Sequence, residues 1–221
     1  MFTLYHCVSA RSFRVLWTLE ELHLPYELRV LAFPPRARDK SFLALNPRGT
    51  VPLFIVGETQ MTESAAICEY LALLHSPGEL NVGANEPEFG SYLNYLHMGE
   101  ATLTFPQTLV LRYSRFEPAA RLQPQVAEDY GKWFLSRLRT LEPHLAAHEF
   151  LCAGRFTAAD VSVGYALMLA EMLGLNERFT PAVLAYWQRL KLRPAFERSL
   201  VAQNAAAVAQ GVSPRPATEA S

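Results

Sequence analysis

The sequence predicts an α/β domain followed by an all-α domain. Short runs of β-forming residues alternate with helical patterns up to about residue 77, whereas only helical periodicity follows from about residue 88. Between them, Ser76-Pro77-Gly78 and a polar stretch to Pro87 are typical of a linker. A chain of 221 residues that is 50% hydrophobic can form two packed domains.

The first domain is expected over residues 1–77, with the order β-α-β and then β-β-α. Residues 2–7 and 26–31 read as strands separated by one helix, which implies a parallel pair with a right-handed crossover. An irregular segment containing Pro34-Pro35 follows. Residues 53–56 and 59–61 can then pair through a tight turn at Gly57-Glu58, and Ser64 is expected to cap the next helix.

The second domain is expected to be an all-α bundle over residues 88–208. Pro106 is expected to kink or end its first helix. Thr157-Ala158-Ala159-Asp160 predicts a capping box at the start of a buried central helix, residues 161–173. Pro181 and Pro194 fit the first turns of two further helices. Residues 209–221 are expected to be a disordered tail.

Composition argues against several function classes. Lys and Arg total 20 against 21 Asp and Glu, a formal net charge of -1, so no basic footprint for nucleic acid is present. No apolar run approaches the roughly 18 residues of a membrane span, and a signal peptide is not expected. The three cysteines and six histidines show no metal-ligand or disulfide spacing. A cytoplasmic location without a metal is the expectation.

The segment from Asn46 to Ser64 suggests a site for a peptide-like ligand. If the Val51-Pro52 bond is cis, the Val51 backbone groups turn outward and can pair with an extended peptide. The start of the Ser64 helix favours a carboxylate, and Glu63 offers a negative charge to an ammonium group. Glutathione carries both groups on one carbon and continues as a peptide, so it fits this description.

At this point the sequence resembles the cytosolic glutathione transferases. The resemblance depends on residues 46–52, on Glu63-Ser64, on residues 9–14 and on residues 156–160, and it spans roughly residues 2 to 200. It implies a thioredoxin-like first domain, a helical second domain and a homodimer. The implied activity is conjugation of the glutathione thiolate to a small hydrophobic electrophile, a detoxification reaction. Two alternatives stay open: a non-catalytic binding or regulatory relative, and a glutathione-dependent thiol oxidoreductase using Cys7.

The resemblance implies Ser9 as the residue that activates the thiol. Serine-using classes, the bacterial theta- and zeta-like pattern among them, carry a motif similar to S-x-x-[SC]-x-R, whose first serine matches Ser9. Ser9 could instead cap the first helix, as could Ser12. Arg11 replaces the cysteine of an isomerase class and could support the thiolate or an anionic co-substrate. Cys7 lies at the strand end, about two residues early for a catalytic cysteine, and is expected to be structural, as is Tyr5.

The resemblance also assigns the two ligand sites. The expected glutathione-binding residues are Thr50, Val51 and Pro52 at the cysteinyl backbone, and Glu63 with Ser64 at the γ-glutamyl end. The electrophile pocket is expected between the first loop and the kinked helix of the second domain. Its candidates are the apolar or aromatic residues Met98, Thr102, Phe105, Tyr113 and Phe116.

Overall fold

A computed structural model describes residues 1–219, and these residues form two compact units. The first unit contains Met1–His75 together with residues 192–219, and the second contains Ser76–Lys191. This division differs from the expected ranges 1–77 and 88–208 in two places. The last long helix belongs to the first unit, and the expected linker belongs to the second, where Leu80 and Val82 are buried.

The first unit is built on a four-stranded sheet. Its strands are β1 (Phe2–His6), β2 (Tyr26–Val30), β3 (Leu53–Val56) and β4 (Thr59–Met61). The spatial order is β2-β1-β3-β4. β1 and β2 are parallel, β3 runs antiparallel to β1, and β4 pairs with β3 through the hairpin. The predicted β-α-β and β-β-α order is confirmed.

Five α-helices complete the described part of the first unit. They are α1 (Phe13–Glu21), α2 (Pro35–Arg38), α3 (Phe42–Leu45), α4 (Ser64–His75) and α11 (Pro194–Ala209). Leu4, Leu16, Phe54 and Leu71 form the centre of the core between the sheet, α1 and α4. Ser64 is the first helical residue of α4 rather than the residue before it.

Helix α11 packs on α1 because its apolar residues meet aromatic rings there. The ring of Phe196 lies 5.5 Å from that of Phe13 and 4.9 Å from that of Trp17. All three side chains are buried. Pro194 predicts that a helix starts here, but the sequence does not specify which partner the apolar residues of this helix cover.

The second unit is helical. Its helices are α5 (Phe89–His97), α6 (Phe105–Leu111), α7 (Pro124–Leu138), α8 (Glu142–Ala147), α9 (Ala158–Met172) and α10 (Pro181–Lys191). Between α5 and α6 the backbone forms a π-helical segment, Met98–Thr104, and a second one, Arg112–Phe116, follows α6. The chain therefore stays helical through Pro106, where the sequence predicts a kink or an end. A wide π turn immediately before the proline tolerates its missing N–H and its ring.

Helix α9 is the buried centre of the second unit, as predicted. Its capping box is present: Asp160 Oδ2 accepts from the Thr157 backbone N–H at 2.8 Å. The other carboxylate oxygen of Asp160 accepts from the Tyr186 hydroxyl at 2.8 Å. Pro181 and Pro194 begin α10 and α11, as predicted.

The expectation of a disordered tail over residues 209–221 is wrong for the part that the structure describes. The Ala217 N–H donates to the Val8 carbonyl at 2.8 Å, and Ala217 and Thr218 are buried. Ala217 also packs against Cys7 and Ala10 of the first loop. Small apolar residues and one backbone hydrogen bond thus anchor a segment that composition alone marks as irregular. Residues 220 and 221 lie outside the described range.

Among residues 1–219, no helix is long and apolar enough to cross a membrane. Within the same range, no three His, Cys, Asp or Glu side chains are grouped so that they could hold a metal ion. Cys7, Cys68 and Cys152 are buried free thiols.

Candidate functional site

The loop before β3 is held in place by Asn46. This residue is buried, and its Nδ2 donates to the Thr50 carbonyl at 2.8 Å while its Oδ1 accepts from the Arg48 N–H at 3.2 Å. Gly49 has a φ of +60°, and an added Cβ would lie 2.6 Å from Cβ of Arg36. A glycine is therefore required at this turn. Thr50, at the end of the loop, is exposed.

The Val51–Pro52 peptide bond is cis, as hypothesised from the sequence. Val51 is half-buried and packs against the cluster that contains Cys7 and Ala10. The loop before β3 and the loop after β1 therefore lie side by side in the first unit.

The start of α4 forms the second part of the site. Glu63 is exposed, whereas Ser64 is only 4% exposed. The Ser64 hydroxyl oxygen accepts from Nη1 of Arg14 at 3.2 Å, and Arg14 is fully buried. A guanidinium beside a helix N-terminus adds positive charge where backbone N–H groups already favour an anion. Arg14 is a site residue that sequence reasoning missed, although it occupies the arginine of the S-x-x-[SC]-x-R motif.

Ser9 lies in the loop between β1 and α1, in a left-handed conformation with a φ of 57°. It is 6% exposed. Its backbone N–H donates to Oε1 of Gln203 at 2.9 Å, and Nε2 of Gln203 donates to the Ser9 Oγ at 3.4 Å. Ser9 is therefore not the N-cap of α1. A non-glycine residue at positive φ is uncommon and is found preferentially at functional sites.

The N-cap position of α1 is Ser12, but its side chain makes no capping hydrogen bond. Its hydroxyl lies 2.8 Å from Nδ1 of His6, and the Cys7 N–H donates to the same oxygen at 3.4 Å. His6 is completely buried, and burial lowers its pKa from 6.5 to about 4. Arg11 is half-buried in the turn before α1.

Cys7 and Tyr5 occupy structural positions. The Cys7 side chain is completely buried, and burial raises the pKa of its thiol to about 12. A thiol with this pKa is protonated at neutral pH and cannot act as a nucleophile. Tyr5 is a half-buried strand residue whose ring packs 5.5 Å from that of Phe42.

The five electrophile candidates lie on the second unit and do not all meet. Met98 and Thr102 line an open groove of about 640 Å³. Its other lining residues are Leu93, Asn94, His97, Ala101, Arg137 and Thr140. Phe105 and Phe116 are exposed elsewhere, and Tyr113 lies beside the Arg112 guanidinium, which is 5.5 Å from its ring centre. The structure thus brings together two of the five.

The similarity to known proteins covers both units. The family described as the N-terminal domain of glutathione S-transferase matches residues 8–74. Glutathione S-transferase 4 of Zea mays is 30% identical over 188 residues, which cover 82% of this chain and 83% of that protein.

The chain belongs to the glutathione S-transferase family.

One relative is named for a different reaction. The tetrachloro-p-hydroquinone reductive dehalogenase of Sphingobium chlorophenolicum is 23% identical and is matched over 90% of this chain and 95% of its own length. Among solved structures, a glutathione transferase of Phanerochaete chrysosporium in complex with oxidized glutathione is 27% identical. It superimposes with a TM-score of 0.79 over 91% of this chain and 95% of that one.

Proposed function

We propose that this glutathione transferase conjugates the thiolate of glutathione to a small hydrophobic electrophile, and that Ser9 activates the thiol. The observation that carries the proposal is the position of Ser9. Its loop lies beside the cis Val51–Pro52 loop, and its backbone is fixed at positive φ by a hydrogen bond to a buried side chain. In this family, glutathione is the co-substrate.

The proposed glutathione site combines three elements of the first unit. The backbone of Thr50 and Val51, ahead of Pro52, pairs with the cysteinyl part of the ligand. Glu63 holds the ammonium group of the γ-glutamyl end, and Ser64 with the N–H groups of α4 holds its carboxylate. Since the Ser64 oxygen accepts from Arg14, its own O–H is directed toward another acceptor, which the ligand carboxylate supplies.

Thiol activation by Ser9 requires only a modest free energy. A free thiol has a pKa near 8.5, and each unit of lowering corresponds to about 1.4 kcal/mol of preference for the thiolate. A hydroxyl that donates to an anionic sulfur contributes about 1.5–3 kcal/mol, the range for hydrogen bonds to charged groups. One donor therefore lowers the pKa of the thiol to near neutral pH. Arg11 is proposed to add positive charge nearby.

The second candidate reaction is glutathione-dependent reduction through Cys7. Similarity to a reductive dehalogenase favours it. The burial of Cys7 and the raised pKa of its thiol argue against it, because that reaction requires an accessible thiolate at residue 7. A non-catalytic binding role needs neither the strained Ser9 nor the exposed Glu63.

The remaining proposals concern the second unit and the assembly. Met98 and Thr102 are proposed to contribute to electrophile binding from the second unit, with Phe105, Tyr113 and Phe116 as further apolar candidates. The protein is proposed to be a cytoplasmic homodimer. Light scattering checks the assembly, since a mass near the 24.8 kDa of one chain at micromolar concentration would contradict a dimer.

The decisive test replaces Ser9 by alanine and measures conjugation to a chloronitrobenzene as a function of pH. Conjugation at neutral pH should fall about ten- to a hundredfold, and the pKa of the bound thiol should rise toward its reference value. The affinity for glutathione should change little. Cys7→Ser is the matched control and should retain the parent's activity. An unchanged pH–rate profile in Ser9→Ala would exclude Ser9 as the activating residue.

A further inference from the structure

Gln203 connects the last long helix to the loop that carries Ser9. It lies on α11, is 2% exposed, and is separated from Ser9 by 194 positions in the sequence. Among the described residues of the first unit, its side chain contacts the Ser9 N–H at 2.9 Å, the Ser9 Oγ at 3.4 Å and Nε2 of His6 at 3.1 Å.

The direction of each hydrogen bond in this network can be deduced. The Ser9 backbone N–H can only donate, so the atom of Gln203 that it meets is the carbonyl Oε1. The same Oε1 faces Nε2 of His6, which must therefore carry a proton and donate. His6 is neutral, so its Nδ1 accepts from the Ser12 hydroxyl.

The orientation of the Gln203 amide decides what Ser9 does. Oε1 accepts from the Ser9 N–H and from His6, so the amide nitrogen Nε2 is the atom that faces the Ser9 Oγ and donates to it. The Ser9 oxygen is then an acceptor toward Gln203, and its own O–H is directed away from Gln203. A thiolate needs a donor, so this is the polarity that activation requires.

We propose that Gln203 is a positioning residue of the transferase reaction: its amide fixes the Ser9 backbone and directs the Ser9 hydroxyl proton toward the glutathione sulfur. This inference rests on the proposed role of Ser9. His6 and Ser12 complete the network by holding the Gln203 amide in one orientation. The four residues come from β1, the first loop and α11.

The primary test is Gln203→Ala, with the pKa of bound glutathione measured through the ultraviolet absorbance of its thiolate. The pKa should rise by about half a unit to one unit, and kcat at neutral pH should fall about three- to tenfold. KM for glutathione should stay within about twofold, because the residue does not contact the ligand. A parental thiol pKa in folded Gln203→Ala would overturn the inference.

Gln203→Glu tests the polarity itself while keeping the side chain's shape. A carboxylate still accepts from the Ser9 N–H and from His6, but it offers a second acceptor to the Ser9 hydroxyl, which then turns toward it. The loss in kcat should at least equal that of Gln203→Ala. Parental activity in Gln203→Glu would overturn the inference.

Ser199→Ala is the matched control, since Ser199 is buried on the same helix and donates along that helix to the Ala195 carbonyl at 2.7 Å. It should keep the parent's thiol pKa. In the double variant Ser9→Ala/Gln203→Ala, the second substitution should add nothing to the first, and additive losses would contradict coupling between the two residues.

These measurements separate the two proposals. An unchanged thiol pKa in Ser9→Ala refutes the role of Ser9, whereas a raised value in Ser9→Ala beside a parental value in Gln203→Ala refutes only the role of Gln203. If the variants at Gln203 do not fold, the parent protein supplies the test. The NMR signals of its Gln203 side-chain amide should shift when glutathione binds, and unchanged signals would count against the inference.

Discussion

Acidification is expected to destabilise the first unit through His6. The ring is completely buried, and its pKa falls from 6.5 to about 4 because burial penalises the charged form. The unfolded chain therefore binds the proton more readily than the folded chain. The stability that the neutral ring contributes is complete above about pH 6.5 and is lost as the pH falls toward 4. At about 1.4 kcal/mol for each pKa unit, the full loss amounts to roughly 3 kcal/mol.

The assay is urea unfolding of the parent and of His6→Asn at pH 6.5 and pH 5. Over this interval the His6 equilibrium alone should lower the free energy of unfolding by about 1.5 kcal/mol. Carboxylates whose pKa values are lowered in the fold, such as Glu86 and Glu142, lose their contribution only at lower pH, so they do not interfere. His6→Asn should remove most of the difference between the two pH values.

His23→Asn is the matched control. His23 is exposed and has a positive φ of 51°, which asparagine adopts readily. This variant should keep the parent's pH dependence. If the parent and His6→Asn lose the same free energy between pH 6.5 and pH 5, the buried neutral ring is not the cause.

Two further substitutions test the ligand site and the packing of the second unit. Glu63→Ala should weaken glutathione about tenfold to a hundredfold by calorimetry, as expected for a lost charged hydrogen bond, while the exposed hairpin variant Glu58→Ala should bind like the parent. Equal affinity in Glu63→Ala would remove that residue from the site. Gly99→Ala should lower the free energy of unfolding by about 1–3 kcal/mol, because a Cβ there would lie 2.5 Å from the backbone of Ser162. On the same helical stretch, Gly90→Ala meets no atom within 4 Å and should be neutral or stabilising by up to about 1 kcal/mol, so similar effects of the two changes would contradict the packing argument.

Local signals in the sequence predicted local structure. Alternation of apolar residues predicted the strands, and the spacing from Thr157 to Asp160 predicted the capping box, because each depends on residues a few positions apart. The cis bond at Val51–Pro52 could also be hypothesised from local sequence, since cis peptide bonds occur almost only before proline. The placement of Ser9 rested on a family resemblance, whereas Glu63 and Ser64 were proposed first from a negative charge beside a helix start. The structure supplies the environment of all three.

Features that depend on distant parts of the chain were missed. Pro194 predicted the start of a helix that was assigned to the helical domain, whereas Phe196 of this helix covers the rings of α1. Proline and serine marked residues after Gly211 as disordered, yet the Ala217 N–H bonds to Val8. Arg14 lies in the S-x-x-[SC]-x-R motif, but only its burial beside Ser64 identifies it as part of the candidate site.

Two backbone groups of the first loop are held by the C-terminal region, which explains why Ser9 can keep its conformation. A residue other than glycine at positive φ needs surroundings that over-determine its backbone. The Ser9 N–H donates to the Gln203 side chain, and the carbonyl of the neighbouring Val8 accepts from the Ala217 N–H. The side chain that we propose to activate the thiol thus comes from the start of the chain, whereas its backbone conformation is fixed by residues near the end. Only the fold brings these two regions together, so no reading of the S-x-x-[SC]-x-R motif alone could have identified the partner.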